Sequence, residues 1–535
     1  MGHGGVAAQK EEVKLRIIYL FSVLYQMRML SPISLCRLIV AIFQYGINLM
    51  TLLKVAERTY GAKIALVDEQ ETISFQQLLL QSERLSITLK QKYGLASGQK
   101  VGFLCKNHAS LVKSIFAASF TGADIFLLNT QMSIGQFNQL LGTYHLDFLV
   151  HDGEMASFIE QSSYTKDRVL SYHDSLPAIN NLLQPFVHEE YKRQRTSSSK
   201  IILLTGGTTG KSKKVEHKPS LFNYLPPFSA LLTRLQLVRY QTAYIATPIY
   251  HGYGIALLLL FVALGKKIVM TSRFDAAKAC DLIQKHKVEV VTVVPLMVQK
   301  MLKHNVEDLK SLACIASGGA ELNPKLVAEV FNKLGDVLYN LYGTSEAGLN
   351  IIATPQDLKY SANTIGRKIK GVRLYVLDRN KKKCGIGEIG GFSLKNNWSM
   401  WNRKGSWIET GDLGYRDDSG YYFLSGRTDD MVVSAGENVY PSEIEHILIH
   451  HPSVEDVAVI GVHDEMFGQR LKAVVQPVKN TDLTKEALLE WLRPKVARYQ
   501  LPKEIVFVDQ ISYTHLGKRD KKQLHEVFFE RTTNR

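Results

Sequence analysis

From about residue 55 onward the chain alternates short β-branched runs with helical stretches, and no other feature constrains its fold as much. Residues 288–294 (VEVVTVV) are dominated by β-branched residues, so they predict a buried strand. Residues 275–287 before it and 296–305 after it predict helices. Repeated in this way, the pattern requires layered α/β architecture, and no fixed-period solenoid repeat replaces it. At 535 residues there is room for more than one domain. A segment rich in Gly, Asp and Tyr at 412–430 (DLGYRDDSGYYFLSGRTDD), with a turn signal at Asp418-Ser419-Gly420, separates two textures. Beyond it come short alternating elements: helices predicted over 442–450 and 485–496, strands over 454–461, 471–478 and 505–508. That is a small α+β domain of about 105 residues. The predicted organisation is an N-terminal extension (1–54), a large layered α/β domain (55–428) and a small C-terminal α+β domain (429–535).

Composition narrows the function. Lys and Arg number 65 against 50 Asp and Glu, giving 65 − 50 = +15. No RNP, helix-turn-helix or zinc-finger signature accompanies that charge, so a nucleotide or a lipid is a better partner than nucleic acid. The five cysteines (Cys36, Cys105, Cys280, Cys314, Cys384) are scattered without a CxxC pair, which argues against a disulfide framework or a Cys-ligated zinc site. They suit a reducing cytoplasm.

The first 60 residues are unusual. Residues 15–30 (LRIIYLFSVLYQMRML) and 37–53 are apolar, carry Tyr and Phe, and are flanked by Lys14, Arg16, Arg28, Arg37 and Lys54. The uncharged runs 38–53 and 255–264 both fall short of the ~20 residues that a spanning helix needs. Acidic Glu11 and Glu12 precede the first run, unlike a secretory signal. Two readings stand: helices packed on the protein body, or helices lying on an anionic bilayer surface, at the inner face of the membrane.

Five segments carry chemistry. In IILLTGGTTGKSKKV (201–215) a strand runs into Thr205, Gly206, Gly207, Thr208, Thr209, Gly210, Lys211 and Lys213. Glycines let backbone N–H groups approach phosphate, while hydroxyls and ammonium groups add donors and charge. Gly206 and Gly210 enclose three residues, so this is not a Walker A loop. In LYNLYGTSEAG (338–348), Thr344 can donate to phosphate and Glu346 can hold a hard cation such as Mg²⁺, although Ser-Glu after Gly also caps helices. In ETGD (409–412) a carboxylate can accept both hydroxyls of a ribose. SGRTDDMVVSAGENVYP (425–441) offers the Arg427 guanidinium fork, and LGKRDKK (516–522) is either a functional basic loop or a solvated tail.

In this order the five segments, with GADIFLLNT (122–130) and TPIYHGYG (247–254), resemble the AMP-forming acyl-CoA synthetases of the ANL adenylate-forming superfamily over residues 55–525. The resemblance implies two half-reactions. A carboxylate attacks the α-phosphate of ATP to give acyl-AMP and pyrophosphate; the thiol of CoA then displaces AMP. It implies that residues 205–213 hold the ATP phosphates, Thr344 contacts the α-phosphate and Glu346 ligates Mg²⁺. Tyr342 and Gly343 would lie against the adenine, and Gly318, Gly319 and Ala320 between adenine and acid. Asp412 would bind the ribose, with Arg427 nearby; Asp429 matches the hinge, Lys518 the catalytic lysine, His251 the mouth of the acid pocket, and Ser434, Ala435 and Gly436 the CoA tunnel. Gly206, Ser212 and Lys214 depart from the family's usual Ser, Pro and Gly, and Lys521 stands where an Arg is usual. The apolar N-terminus and GADIFLLNT look most like bacterial medium- or long-chain fatty acyl-CoA ligases, which makes fatty acid the leading substrate. The alternatives are an aryl or dicarboxylic acid–CoA ligase, an enzyme that loads a carrier protein, and a non-catalytic acyl- or nucleotide-binding relative.

Overall fold

Local signals explain the elements that the periodicity predicts. The helix expected over 275–287 runs Ala276–His286, started by the Asp275 carboxylate accepting the Lys278 N–H (2.9 Å) and ended by Lys287 at φ 51°. Strand Val290–Val293 follows, then helix Pro295–His304 with proline in its first turn, where a missing N–H costs nothing. The structure is a computed structural model that describes residues 21, 23–25, 30–182, 195–196, 199–205, 213–218, 220, 222–434, 437–464, 468–514 and 517–529.

Three sheets organise these residues. The largest has thirteen strands; Thr242–Ile245, Lys267–Met270, Val290–Val293, Cys314–Gly318 and Leu338–Thr344 run parallel in it. Gly348–Ala353 then turns back antiparallel, and the sheet continues through Thr364–Lys368 to Ile408–Arg416 and Tyr422–Arg427. A six-stranded sheet places Ile201–Thr205 beside Asp124–Leu127 and ends in the antiparallel strand Lys213–His217. Thr205 pairs with Lys213, so the Gly-Thr-Lys segment connects two neighbouring antiparallel strands of one sheet. The third sheet belongs to the small domain: Val432–Ser434, Glu437–Val439, Val454–Asp464, Gly468–Pro477 and Glu504–Phe507, around a core that includes Ile444, Leu448, Val457 and Leu488. The chain leaves the large sheet at Arg427, makes the short turn Thr428–Asp430 and enters the small sheet at Val432.

The apolar N-terminal run 37–53 is not one helix. Gly46 at φ 88° ends Pro32–Tyr45, and the Asn48 side chain accepts the Thr51 N–H (3.1 Å) to start Leu49–Tyr60. The division expected between residues 54 and 55 therefore falls inside a continuous helix whose Leu49, Met50, Leu53 and Ala56 join the main core. The inner faces pack, with Tyr45 buried and its hydroxyl on Glu83. The outer face of Pro32–Tyr45 leaves Ile33, Ile39, Val40 and Phe43 exposed. Most of residues 15–30 lie outside the described residues. No helix among the described residues is long and apolar enough to cross a membrane.

Candidate active site

A cavity of about 2050 Å³ opens between the large domain and the small one, and Gly318, Tyr342, Thr344, Glu346, Asp412 and Lys518 all line it. The first three come from the parallel strands Cys314–Gly318 and Leu338–Thr344, whose C-terminal ends meet at the cleft. Ligands gather at such strand ends in open α/β sheets. Glycine is needed at 343: a Cβ there would sit 2.4 Å from the Gly348 carbonyl oxygen of the returning strand. Gly319 takes φ 79°, a left-handed conformation that lets the chain turn along the cleft.

The turn between the two strands is tightly held. The Thr344 hydroxyl accepts the Ala347 N–H (3.0 Å), the capping arrangement that Ser-Glu after Gly also suggests, but a strand follows instead of a helix. The Glu346 carbonyl accepts the Met400 N–H (2.8 Å). Asn396 donates to the Ala347 carbonyl (2.8 Å) and the Trp398 indole to that of Leu349 (3.0 Å). These bonds leave the Glu346 carboxylate on the cavity wall.

Asp412 is the electrostatic centre of one end of the cavity. Its two oxygens accept the Tyr342 hydroxyl (2.6 Å) and an Arg427 guanidinium N–H (2.8 Å). Burial pushes its carboxyl above the ordinary value, against the opposing pull of Tyr342, Arg427 and Lys518. Burial and the neighbouring Asp412 push the Tyr342 phenol up as well, so it stays a protonated donor. Arg427 also donates to Asp429 (2.9 Å), which is exposed in the crossing between domains.

Lys518 is brought in by the small domain. Gly517, at φ 69°, lies against Val294 of the large domain; a Cβ there would be 2.7 Å from the valine side chain. The Lys518 N–H donates to the Thr514 hydroxyl (3.2 Å). Behind this loop Arg519 bonds Asp456 (2.9 Å) and Glu445 (3.0 Å), which raise its pKa despite burial, and Lys521 bonds Asp430 (3.2 Å). The basic run is thus an anchored loop, not a solvated tail.

His251 starts the helix Gly252–Ala263 and lines the cavity, its ring 4.6 Å from that of Tyr250. Ala320 also lines it. Thr205 and Lys213 are placed by their backbones at the two ends of the hairpin, whereas Gly206, Gly207, Thr208, Thr209, Gly210 and Lys211 lie outside the described residues. Ala435 and Gly436 also lie outside them. Ser434 is buried in the small domain, donating to the Tyr499 carbonyl (3.1 Å) away from the described cavity lining.

Sequence reasoning missed several contributors. His217 receives the Tyr224 hydroxyl on Nδ1 (3.3 Å) and donates through Nε2 to the Ser345 carbonyl (3.3 Å); burial lowers its pKa, so it stays neutral beside the glutamate turn. Trp398 acts from outside any motif, and Arg519 lies within LGKRDKK without having been singled out there. No local signal marked Arg519, whose acidic partners Asp456 and Glu445 lie 63 and 74 residues away. One other cluster with ligand-type atoms, Cys105, His108 and Asp152, is already internally bonded: His108 donates to Asp152 (2.8 Å) and accepts the Leu111 N–H (3.0 Å).

A family model described as AMP-binding enzyme matches residues 53–400, and one described as AMP-binding enzyme C-terminal domain matches residues 443–518. The chain belongs to the AMP-binding enzyme family. It is 27% identical over 488 residues to a 2-succinylbenzoate–CoA ligase of Bacillus cereus (strain Q1), covering 88% of this chain and 96% of that one. Its fold matches the amide bond synthetase McbA from Marinactinospora thermotolerans at a TM-score of 0.80, with 22% identity over 90% of this chain and 99% of that one. It also matches the o-succinylbenzoate CoA synthetase MenE from Bacillus subtilis, solved with its acyl-adenylate intermediate, at a TM-score of 0.75 and 23% identity over 88% and 97%. The large layered α/β domain and the smaller C-terminal one are the architecture of adenylate-forming enzymes.

Proposed function

We propose that this chain is an AMP-forming acid–CoA ligase, with ATP, Mg²⁺ and CoA as its cofactors. The observation that carries the reading is the meeting of Lys518 with Asp412, Thr344 and Glu346 in one cleft, although Lys518 comes from a different domain. In the first half-reaction a carboxylate oxygen bonds to the α-phosphorus of ATP while the bond to pyrophosphate breaks. Both reactants are anionic, so charge rather than a protein nucleophile is what the site must supply. Lys518 places an ammonium at the nucleotide end, and the Thr344 hydroxyl can turn to donate to a phosphate oxygen. The Glu346 carboxylate and neighbouring hydroxyl are a hard-oxygen donor set that fits Mg²⁺, which would offset phosphate charge there. Asp412 is the acceptor for the ribose hydroxyls, Tyr342 and residues 318–320 the adenine wall, and the 205–213 hairpin the phosphate support. Asp429, in the crossing between sheets, is the pivot; rotation there would bring the Ser434–Gly436 strand region to CoA for the second half-reaction.

For the acid, the name of the Bacillus cereus relative supports an aromatic or dicarboxylic substrate, which moves fatty acid from first to second place. The apolar character of the cavity wall supports the second reading. Pyrophosphate release by the full chain with ATP, Mg²⁺ and a panel of aryl, dicarboxylic and straight-chain acids tests both. Release with at least one acid, followed by CoA consumption, is expected; no release with any acid overturns the ligase reading.

A further inference from the structure

Most of the chain's charge excess sits in one stretch. Residues 367–404 hold eleven Lys and Arg against Asp378 and Glu388, so 11 − 2 = +9 of the overall +15 falls within 38 residues. The proposed adenylation chemistry draws on none of these cations. The stretch forms the far edge of the thirteen-stranded sheet, where Arg373–Leu377 is the outermost strand and pairs antiparallel with Gly390–Lys395. The connecting loop, residues 378–389, exposes Arg379 and the run Lys381, Lys382, Lys383. Lys381 reaches Glu409 (2.6 Å), and no ion pair forms at Lys382 or Lys383 among the described residues.

Two features set this face apart from an ordinary solvated edge. Arg373 stands directly across the ladder from Lys395, and directly opposed like charges destabilise a sheet. Apolar side chains protrude among the cations: Ile386 is 60% exposed, Ile389 40% and Trp407 39%. Trp407 stacks on the exposed Tyr375 (4.8 Å between ring centroids), and the Lys383 ammonium lies over the Tyr375 ring at 3.9 Å. A lysine-bearing edge by itself discourages strand-to-strand aggregation. That role requires neither exposed isoleucines nor an opposed Arg–Lys pair.

We propose that this hairpin is a docking surface for an anionic bilayer. Its lysines and arginines meet lipid phosphates, while Ile386, Ile389, Tyr375 and Trp407 enter the headgroup layer. The apolar side chains stand apart from one another on a loop and two strands' flanks. That spacing suits a soft, continuous phase better than the central packed anchor of a protein interface. Single-stranded nucleic acid calls for aromatic platforms, and isoleucine offers no stacking surface. Trp407 also lines the central cavity, so docking brings one rim of that cavity to the membrane. The inference stands on surface charge and exposure, whichever acid is activated.

The test is co-sedimentation of the full-length protein with vesicles of phosphatidylcholine alone and of phosphatidylcholine mixed with phosphatidylglycerol. Binding to the mixed vesicles, little to the neutral ones, and loss of binding at high salt are expected, because exposed charges are screened. Replacing Lys381, Lys382 and Lys383 together by Gln should weaken partitioning roughly 100-fold, at about fivefold per charge. Ile386→Asp with Ile389→Asp should weaken it by about tenfold or more. Replacing the same three lysines by Arg should preserve it. All these positions are exposed, so the melting temperature should not move. Absence of sedimentation with the mixed vesicles overturns the proposal. So does binding that the Gln and Asp variants leave unchanged, which would place the contact elsewhere, such as on the N-terminal helices. Retention on polyglutamate without vesicle binding also overturns the bilayer and assigns the patch to an acidic protein partner.

Discussion

The two ends of the cavity, the one we assign to the nucleotide and the one we assign to the acid, are built by different means. At the nucleotide end, Asp412, Tyr342, Arg427 and Asp429 are joined by hydrogen bonds of 2.6–2.9 Å, and Lys518 reaches them on a loop pinned by Gly517 and Arg519. At the acid end, aliphatic side chains from several helices line the wall. Directional bonds tolerate little change in residue type, so this half is written in motifs. Apolar packing accepts many side chains of similar volume, so the other half is not. The difference teaches that the reaction and the substrate of such an enzyme are specified by separate kinds of information.

The comparison can be broken most forcefully at Lys518. Lys518→Ala should slow acyl-AMP formation by ~10³ for every acid tested, as removal of one preorganised charge contact does. It should leave thioester formation from supplied acyl-AMP nearly intact, because that step uses the other orientation of the small domain. Pyrophosphate exchange and CoA consumption read the two steps separately; equal impairment of both would sink the two-orientation reading.

Glu346→Gln should cost less, roughly 10–100-fold in adenylation, and raise the Mg²⁺ concentration needed for half-maximal rate. Titrating Mg²⁺ at fixed ATP measures this. A selective loss on one acid would show instead that Glu346 belongs to the acid end.

The smallest effect concerns how the two domains hold together. His446 of the small domain pairs with Glu321 of the large one. Burial disfavours the imidazolium, but Glu321 outweighs it and His446 titrates above its ordinary value, while His446 holds Glu321 below its own despite burial. The histidine's contribution is therefore full below about pH 6.5 and disappears as pH rises through its raised value; the glutamate's is present above about pH 4.5 and lost on acidification. Between those limits the present arrangement is favoured by no more than about 1 kcal/mol, since the pair is partly exposed. Raising the pH from 6 to 9 should change the ratio of the two half-reaction rates by less than about fivefold, and His446→Gln should abolish that part of the change. A pH profile identical in the variant would leave the pair without a role in the alternation.

Much of the fold was legible because strong local signals agreed with the tertiary outcome. The helix Ala276–His286, strand Val290–Val293 and helix Pro295–His304 follow within a residue or two of their hydrophobic pattern, each with a cap or proline in place. In the N-terminal run, Gly46 and Asn48 sit inside an apolar stretch, and the helix stop there becomes visible only through a backbone φ and a side-chain cap. At the site, Thr344, Glu346 and Asp412 were singled out by the resemblance of their segments to those of the adenylate-forming enzymes, and the fold brings all three to one cavity. Arg519 and Trp398 were not, because each works through partners 63 and 49 residues away.

By itself, then, the order of motifs along the chain determined the family, through its resemblance to the adenylate-forming enzymes, and with it the layered α/β domain and the small second one. Only the tertiary structure decided which surfaces those motifs share a cavity with. The N-terminal helices face helix Gly252–Ala263 across some 200 residues of intervening sequence, and apolar contact over such a separation leaves no local pattern, because burial depends on the neighbours that the folded chain brings and not on the residues beside it in sequence.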